Sequence, residues 1–128
     1  MQPLRAVRTA VTPEVVFSRS ANRLLIDGEC YPENPLPFFT PIINAIKVHL
    51  EGQRPGRFEA QMRLQYVNSA STKGLRTIFS VLNDAGAKGT VVEVIWAHDA
   101  EDDAMEELGL DLAEDFHHLR LSRQHLAT

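Results

Sequence analysis

Residues 58–72 read Phe58-Glu59-Ala60-Gln61-Met62-Arg63-Leu64-Gln65-Tyr66-Val67-Asn68-Ser69-Ala70-Ser71-Thr72, and this stretch decides the fold. From Phe58 to Tyr66 apolar and polar residues alternate, which is the period of a strand with one apolar face. The polar face (Glu59, Gln61, Arg63, Gln65) is expected to be solvated or covered by something amphipathic. Asn68 to Thr72 breaks the alternation. Leu75, Ile78, Phe79, Leu82 and Ala85 then recur at helical spacing. A strand therefore hands over directly to a helix, with Gly86 and Gly89 as its expected stop.

Reading outward, the same alternation of element types continues. Val91-Val92-Glu93-Val94-Ile95-Trp96 is nearly continuous and β-branched, as expected of a strand buried on both faces. Asp99 to Asp103 opens a third helix with acids at its positive end, and Met105, Leu108, Leu112 and Phe116 mark its buried stripe. A last short strand is expected from His118 to Leu121. Towards the N-terminus, Leu36, Phe39, Ile42, Ile43, Ile46 and Leu50 form another helical stripe. Asn34-Pro35 or Thr40-Pro41 can start that helix. Val15 to Phe17 and Leu24 to Ile26 suggest a first hairpin, with Asp27-Gly28 turning the chain after it.

The order β-β-α-β-α-β-α-β predicts an α/β domain, a mixed sheet with helices packed against it. Residues 1–11 are expected as a flexible arm, 12–122 as the domain and 123–128 as a frayed tail. At 128 residues, with 44% apolar and 23% charged residues, the chain fits one domain that holds a core without staples.

Composition also excludes functions. The net charge is −4 and the 13 basic residues are scattered, so the chain lacks the basic face that a nucleic-acid platform needs. Cys30 is the single cysteine, so no internal disulfide and no Cys-x-x-Cys zinc motif exist. The reading expected for it is a small buried cysteine. No apolar run approaches the roughly 20 residues of a membrane span and no signal peptide is visible. A cytoplasmic protein without membrane insertion is expected, needing no cofactor and no metal.

The turn at Asn68 carries the chemistry. A helix start has free backbone N–H groups and partial positive charge. Asn68 or Ser69 can cap it. The same terminus also accommodates an anion. A phosphate there adds about −1.5 to −2 charges, which the helix tolerates while a partner's surface does not. Lys73 and Arg76 are placed to soften that charge.

Several motifs occur in one order: Tyr31-Pro32-Glu33-Asn34, Phe39 with Pro41-Ile42-Ile43, Leu64-x-Tyr66-x-Asn68-Ser69, and Val94-x-Trp96 before the acidic stretch Asp99–Glu107. In these the chain resembles the SiaC family of bacterial regulatory phosphoproteins, over about residues 12–121. The resemblance implies a fold and a logic like those of STAS-type anti-sigma-factor antagonists. It implies phosphorylation of Ser69 by a dedicated protein kinase and reversal by a metal-dependent serine/threonine phosphatase. It implies that the unmodified form binds and activates a diguanylate cyclase, raising cyclic di-GMP and favouring biofilm or aggregation. Asn68, Ala70, Ser71, Thr72 and Lys73, together with Tyr31, Glu33 and Asn34, are the partner-binding candidates that follow. The sequence departs from the family pattern at Ala70, at Cys30 and at Ala97-His98.

No catalytic residue is assigned, and an enzyme is not expected. The competing reading is a small metal-dependent hydrolase built on the Asp99–Asp103 acids and a histidine. Those acids lack EF-hand spacing, and a helix start explains them. His117 and His118 are expected to point to opposite sides of a strand, which prevents joint ligation.

Overall fold

The computed structural model describes residues 4–126. They form six strands and three helices: β1 (Leu4–Ala6), β2 (Glu14–Ser18), β3 (Arg23–Cys30), α1 (Leu36–Gln53), β4 (Arg57–Val67), α2 (Ser69–Ala87), β5 (Val91–His98), α3 (Asp103–Glu114) and β6 (Arg120–His125). The strands make one sheet in sequence order. β1, β2 and β3 pair antiparallel, and β3 through β6 pair parallel.

Each parallel crossover steps one place in the same direction. Right-handed crossovers of that kind put their helices on one face of the sheet. The burial pattern agrees: Phe58, Ala60, Met62 and Leu64 of β4 are buried, as are Val92, Val94 and Trp96 of β5. This corrects the double-sided burial expected for residues 91–96. Val91 is 47% exposed, and Glu93 and Ile95 are half-buried on the open face. That face is solvated and carries ion pairs, Arg23 with Glu59, Arg57 with Glu93, and Arg63 and Arg8 with Asp27. Exposed pairs of this type contribute about 0–1 kcal/mol each; their main effect is to keep an uncovered sheet face wet.

The core lies between sheet and helices. Trp96 fills its centre, with its indole N–H donating to the Met105 carbonyl at 2.8 Å and its ring edge-on to Phe79. Gly109 of α3 packs so closely that an added Cβ would lie 2.6 Å from the Trp96 ring.

Four element boundaries differ from expectation. Leu4–Ala6, read as part of a loose arm, is held as a strand by pairing with Val15–Phe17. Asp27-Gly28 is not a turn. The strand runs on to Cys30 through a register shift at Gly28/Glu29, where Gly28 takes φ +137°, a conformation open to glycine. Residues 123–125, expected to fray, extend β6 to His125, with the Leu126 N–H donating to the His98 carbonyl; residues 127 and 128 lie outside the described residues. His117 and His118 sit in the turn before β6 rather than on a strand. α1 begins after Pro35, and Pro41 lies inside it.

Candidate functional site: the β4–α2 turn

The parallel register brings the ends of β3 and β4 together, Cys30 opposite Val67. The Asn68 N–H donates to the Cys30 carbonyl at 3.1 Å. Its side-chain N–H reaches the Pro32 carbonyl at 3.5 Å, and its Oδ1 accepts from the Ser71 N–H at 2.9 Å. One asparagine thus ties the Tyr31–Asn34 segment to the start of α2. Asn68 is in extended conformation as the N-cap residue. This decides between the two capping candidates: Asn68 makes the cap and Ser69 is the first helical residue.

The three hydroxyls of the turn have different fates. Ser69 is exposed. Ser71 is fully buried, beside Cys30. Burial pushes the Cys30 thiol up, and the Ser71 hydroxyl partly offsets this. The Thr72 hydroxyl donates to the Asn68 carbonyl at 3.2 Å. Ser71 therefore leaves the set of candidate surface contacts, because its complete burial removes it from any partner. Ala70 and Lys73 are exposed next to Ser69, with Lys73 one helical turn on and on the same face. Among the described residues Lys73 has no carboxylate partner, whereas Arg76 is engaged with Asp115 at 3.5 Å.

Apolar surface rims the turn. Tyr31 and Tyr66 meet edge to face at 5.5 Å. Tyr66 is 51% exposed, and Leu36 at the start of α1 is 69% exposed. Glu33 and Asn34 are exposed between them. The sequence-derived candidates are thus gathered at the carboxyl ends of β3 and β4, except Ser71, which lies beneath.

The acidic stretch has a structural role. Asp99 Oδ1 accepts from the Glu101 N–H, and Asp102 caps α3 by accepting from the Met105 N–H at 3.1 Å. Among the described residues the acid–histidine cluster is His98, Glu106 and His125, which uses none of Asp99–Asp103. The hydrolase reading built on those acids is corrected accordingly. A separate cleft of about 340 Å³, unannounced by any motif, opens between the far ends of α1 and α2, lined by Lys47, Glu51, Arg54, Asp84 and Lys88 among others.

The model of SiaC family regulatory phosphoproteins matches residues 6–126. This chain belongs to the SiaC family. An uncharacterised protein of Pseudomonas aeruginosa strain UCBPP-PA14 is 33% identical over 116 residues, covering 90% of each chain. The crystal structure of apo-SiaC from Pseudomonas aeruginosa superposes with a TM-score of 0.89 at 29% identity, covering 97% of this chain and 99% of that one. SiaC in the complex in which it is the activator of the diguanylate cyclase SiaD gives 0.90 at 28% identity, covering 96% and 99%. The single mixed α/β domain of this family member is therefore shared with SiaC. Among the described residues no helix is long and apolar enough to cross a membrane.

Proposed function

We propose that this SiaC-family protein is a cytoplasmic, non-enzymatic partner switch. In its unmodified form it binds and activates a diguanylate cyclase. Phosphorylation of Ser69 by a protein kinase releases the cyclase, and a serine/threonine phosphatase restores binding.

One observation carries the reading. Of the three hydroxyls in the turn, only that of Ser69 is exposed, and the cap is made by Asn68 instead. The hydroxyl is thus free to accept a phosphate without loss of a structural hydrogen bond. A phosphate at the first helical position gains about 0.3–1 kcal/mol from the helix dipole, and Lys73 offsets part of its charge. The fold is preserved. The same end of the sheet exposes apolar surface, namely Tyr66, edge-on to Tyr31, and Leu36. A partner packed on them would have to desolvate a group carrying about −1.5 to −2 charges. Membership of a family of regulatory phosphoproteins and the activator role of SiaC towards SiaD support the same assignment.

The test is cyclic di-GMP production by the cyclase in the presence of purified variants. Ser69→Ala should activate as the wild type does. Ser69→Asp should lose at least about tenfold in affinity, equivalent to about 1.4 kcal/mol, while its thermal midpoint stays close to wild type. Equal activation by both variants would remove Ser69 from the switch.

A further inference from the structure

We propose that His98, Glu106 and His125 form a binding site for one divalent transition-metal ion, zinc being the best match. The site is built from three elements. His98 ends β5, and its register partner across the parallel pair is His125 of β6, so both imidazoles project side by side on the helix-covered face with ring centroids 5.4 Å apart. α3 crosses above them, and Glu106 in its first turn points its carboxylate at His98.

His98 supplies the decisive observation. The residue is 1% exposed. Its Nδ1 lies 2.8 Å from the Asp99 carbonyl oxygen, an acceptor, so Nδ1 carries the hydrogen and donates it. Metal-ligating histidines are fixed by a backbone carbonyl in this way, leaving Nε2 as the ligand atom. Nε2 is buried and has no hydrogen-bond partner. It faces Glu106 Oε2 at 3.6 Å. A buried polar atom without a partner is costly, and a cation held between this nitrogen and the carboxylate would satisfy both.

The dimensions fit. The three ligand atoms lie within 4.8 Å of one another. Bonds of about 2.0–2.2 Å in a tetrahedron set donor atoms roughly 3.4 Å apart. The His98–Glu106 pair already meets this, and His125, exposed near the end of β6, has room to close the remainder. Two imidazoles and one carboxylate are a donor set suited to zinc with one open position. Arg123 Nη1 stands 3.4 Å from the same Glu106 oxygen and competes with the ion for it. A bound ion would pin β6 and α3 to β5, tying down the most exposed strand of the sheet. None of the residues around Ser69 takes part in this site, which is independent of the switch.

The experiment is titration of the chelator-treated full chain with zinc, and with cobalt(II) as the spectroscopic stand-in, alongside thermal melting. The expected result is one ion per chain, tetrahedral cobalt absorption and a higher melting temperature with zinc. His125→Ala and Glu106→Gln, both away from the core, should keep the fold by circular dichroism and, as losses of a ligand, weaken binding by more than the roughly 10- to 100-fold typical of losing an outer-shell partner. Arg123→Ala should bind at least as tightly as wild type. The double variant His117→Ala/His118→Ala should bind unchanged. No bound ion in the wild type, or binding by His125→Ala and Glu106→Gln equal to that of the wild type, would overturn the proposal.

Discussion

Asn68 and Ser69 are adjacent and chemically similar as helix caps, yet their roles separate cleanly. Asn68 binds the Ser71 N–H, the Cys30 carbonyl and the Pro32 carbonyl; Ser69 takes no part in that cap. Asn68→Ala should therefore cost about 0.5–2 kcal/mol, while Ser69→Ala should stay within about 0.5 kcal/mol of wild type, both read from urea unfolding. A second residue-scale consequence concerns His49. It is buried edge-on to Phe17, with its Nε2 2.7 Å from Asn22 Oδ1. Burial, with Arg19 nearby, pushes its imidazole below the ordinary 6.5. The unfolded chain then takes up a proton that the folded chain resists. Its contribution is whole above pH 6.5 and falls as the pH drops below that value, until the folded imidazole itself titrates. Thermal midpoints should decline on acidification through this range, and His49→Gln should decline less.

At the scale of elements, close backbone approach matters more than helix punctuation. Gly86 reads in the sequence as a helix stop, but it lies within α2. A Cβ there would collide with the His118 carbonyl oxygen, where the α3–β6 connection is also held by the His118 N–H donating to Asn83 Oδ1 at 2.8 Å. Gly86→Ala should destabilise by about 1–3 kcal/mol through overpacking. Gly52, near the end of α1, has nothing within 4 Å, so Gly52→Ala should be neutral or stabilise by up to about 1 kcal/mol. Paired thermal melts of the two variants separate a packing glycine from an incidental one. The strands show the same limit. β4 was legible because its alternation is set by one-sided burial. β1 was not, because three residues acquire strand geometry only by pairing with Val15–Phe17. β6 was not fully legible, because Arg120–His125 is a polar, mostly exposed edge whose order comes from hydrogen bonding to β5.

For the molecule as a whole, the strand and helix order was readable, and so was the turn at Asn68, since both are written in local periodicity. One-sided cover of the sheet was not readable. The apolar run Val91–Trp96 has the composition of a doubly buried strand, and only the direction of the crossovers decides which face the helices take. Burial of Ser71 and exposure of Ser69 were equally invisible, because the helix phase beneath the turn depends on where the cap closes. The His98–Glu106–His125 group needs the β5–β6 register, which no spacing in the sequence records. The family resemblance supplied what periodicity does not: the choice of one serine and the class of partner. The most direct measurement compares the affinity for the diguanylate cyclase of unmodified protein with that of protein carrying one phosphate at Ser69, verified by intact mass. Tight binding of the unmodified form, with loss of at least about tenfold on phosphorylation at unchanged fold, is the predicted result; equal affinity of the two forms would contradict it.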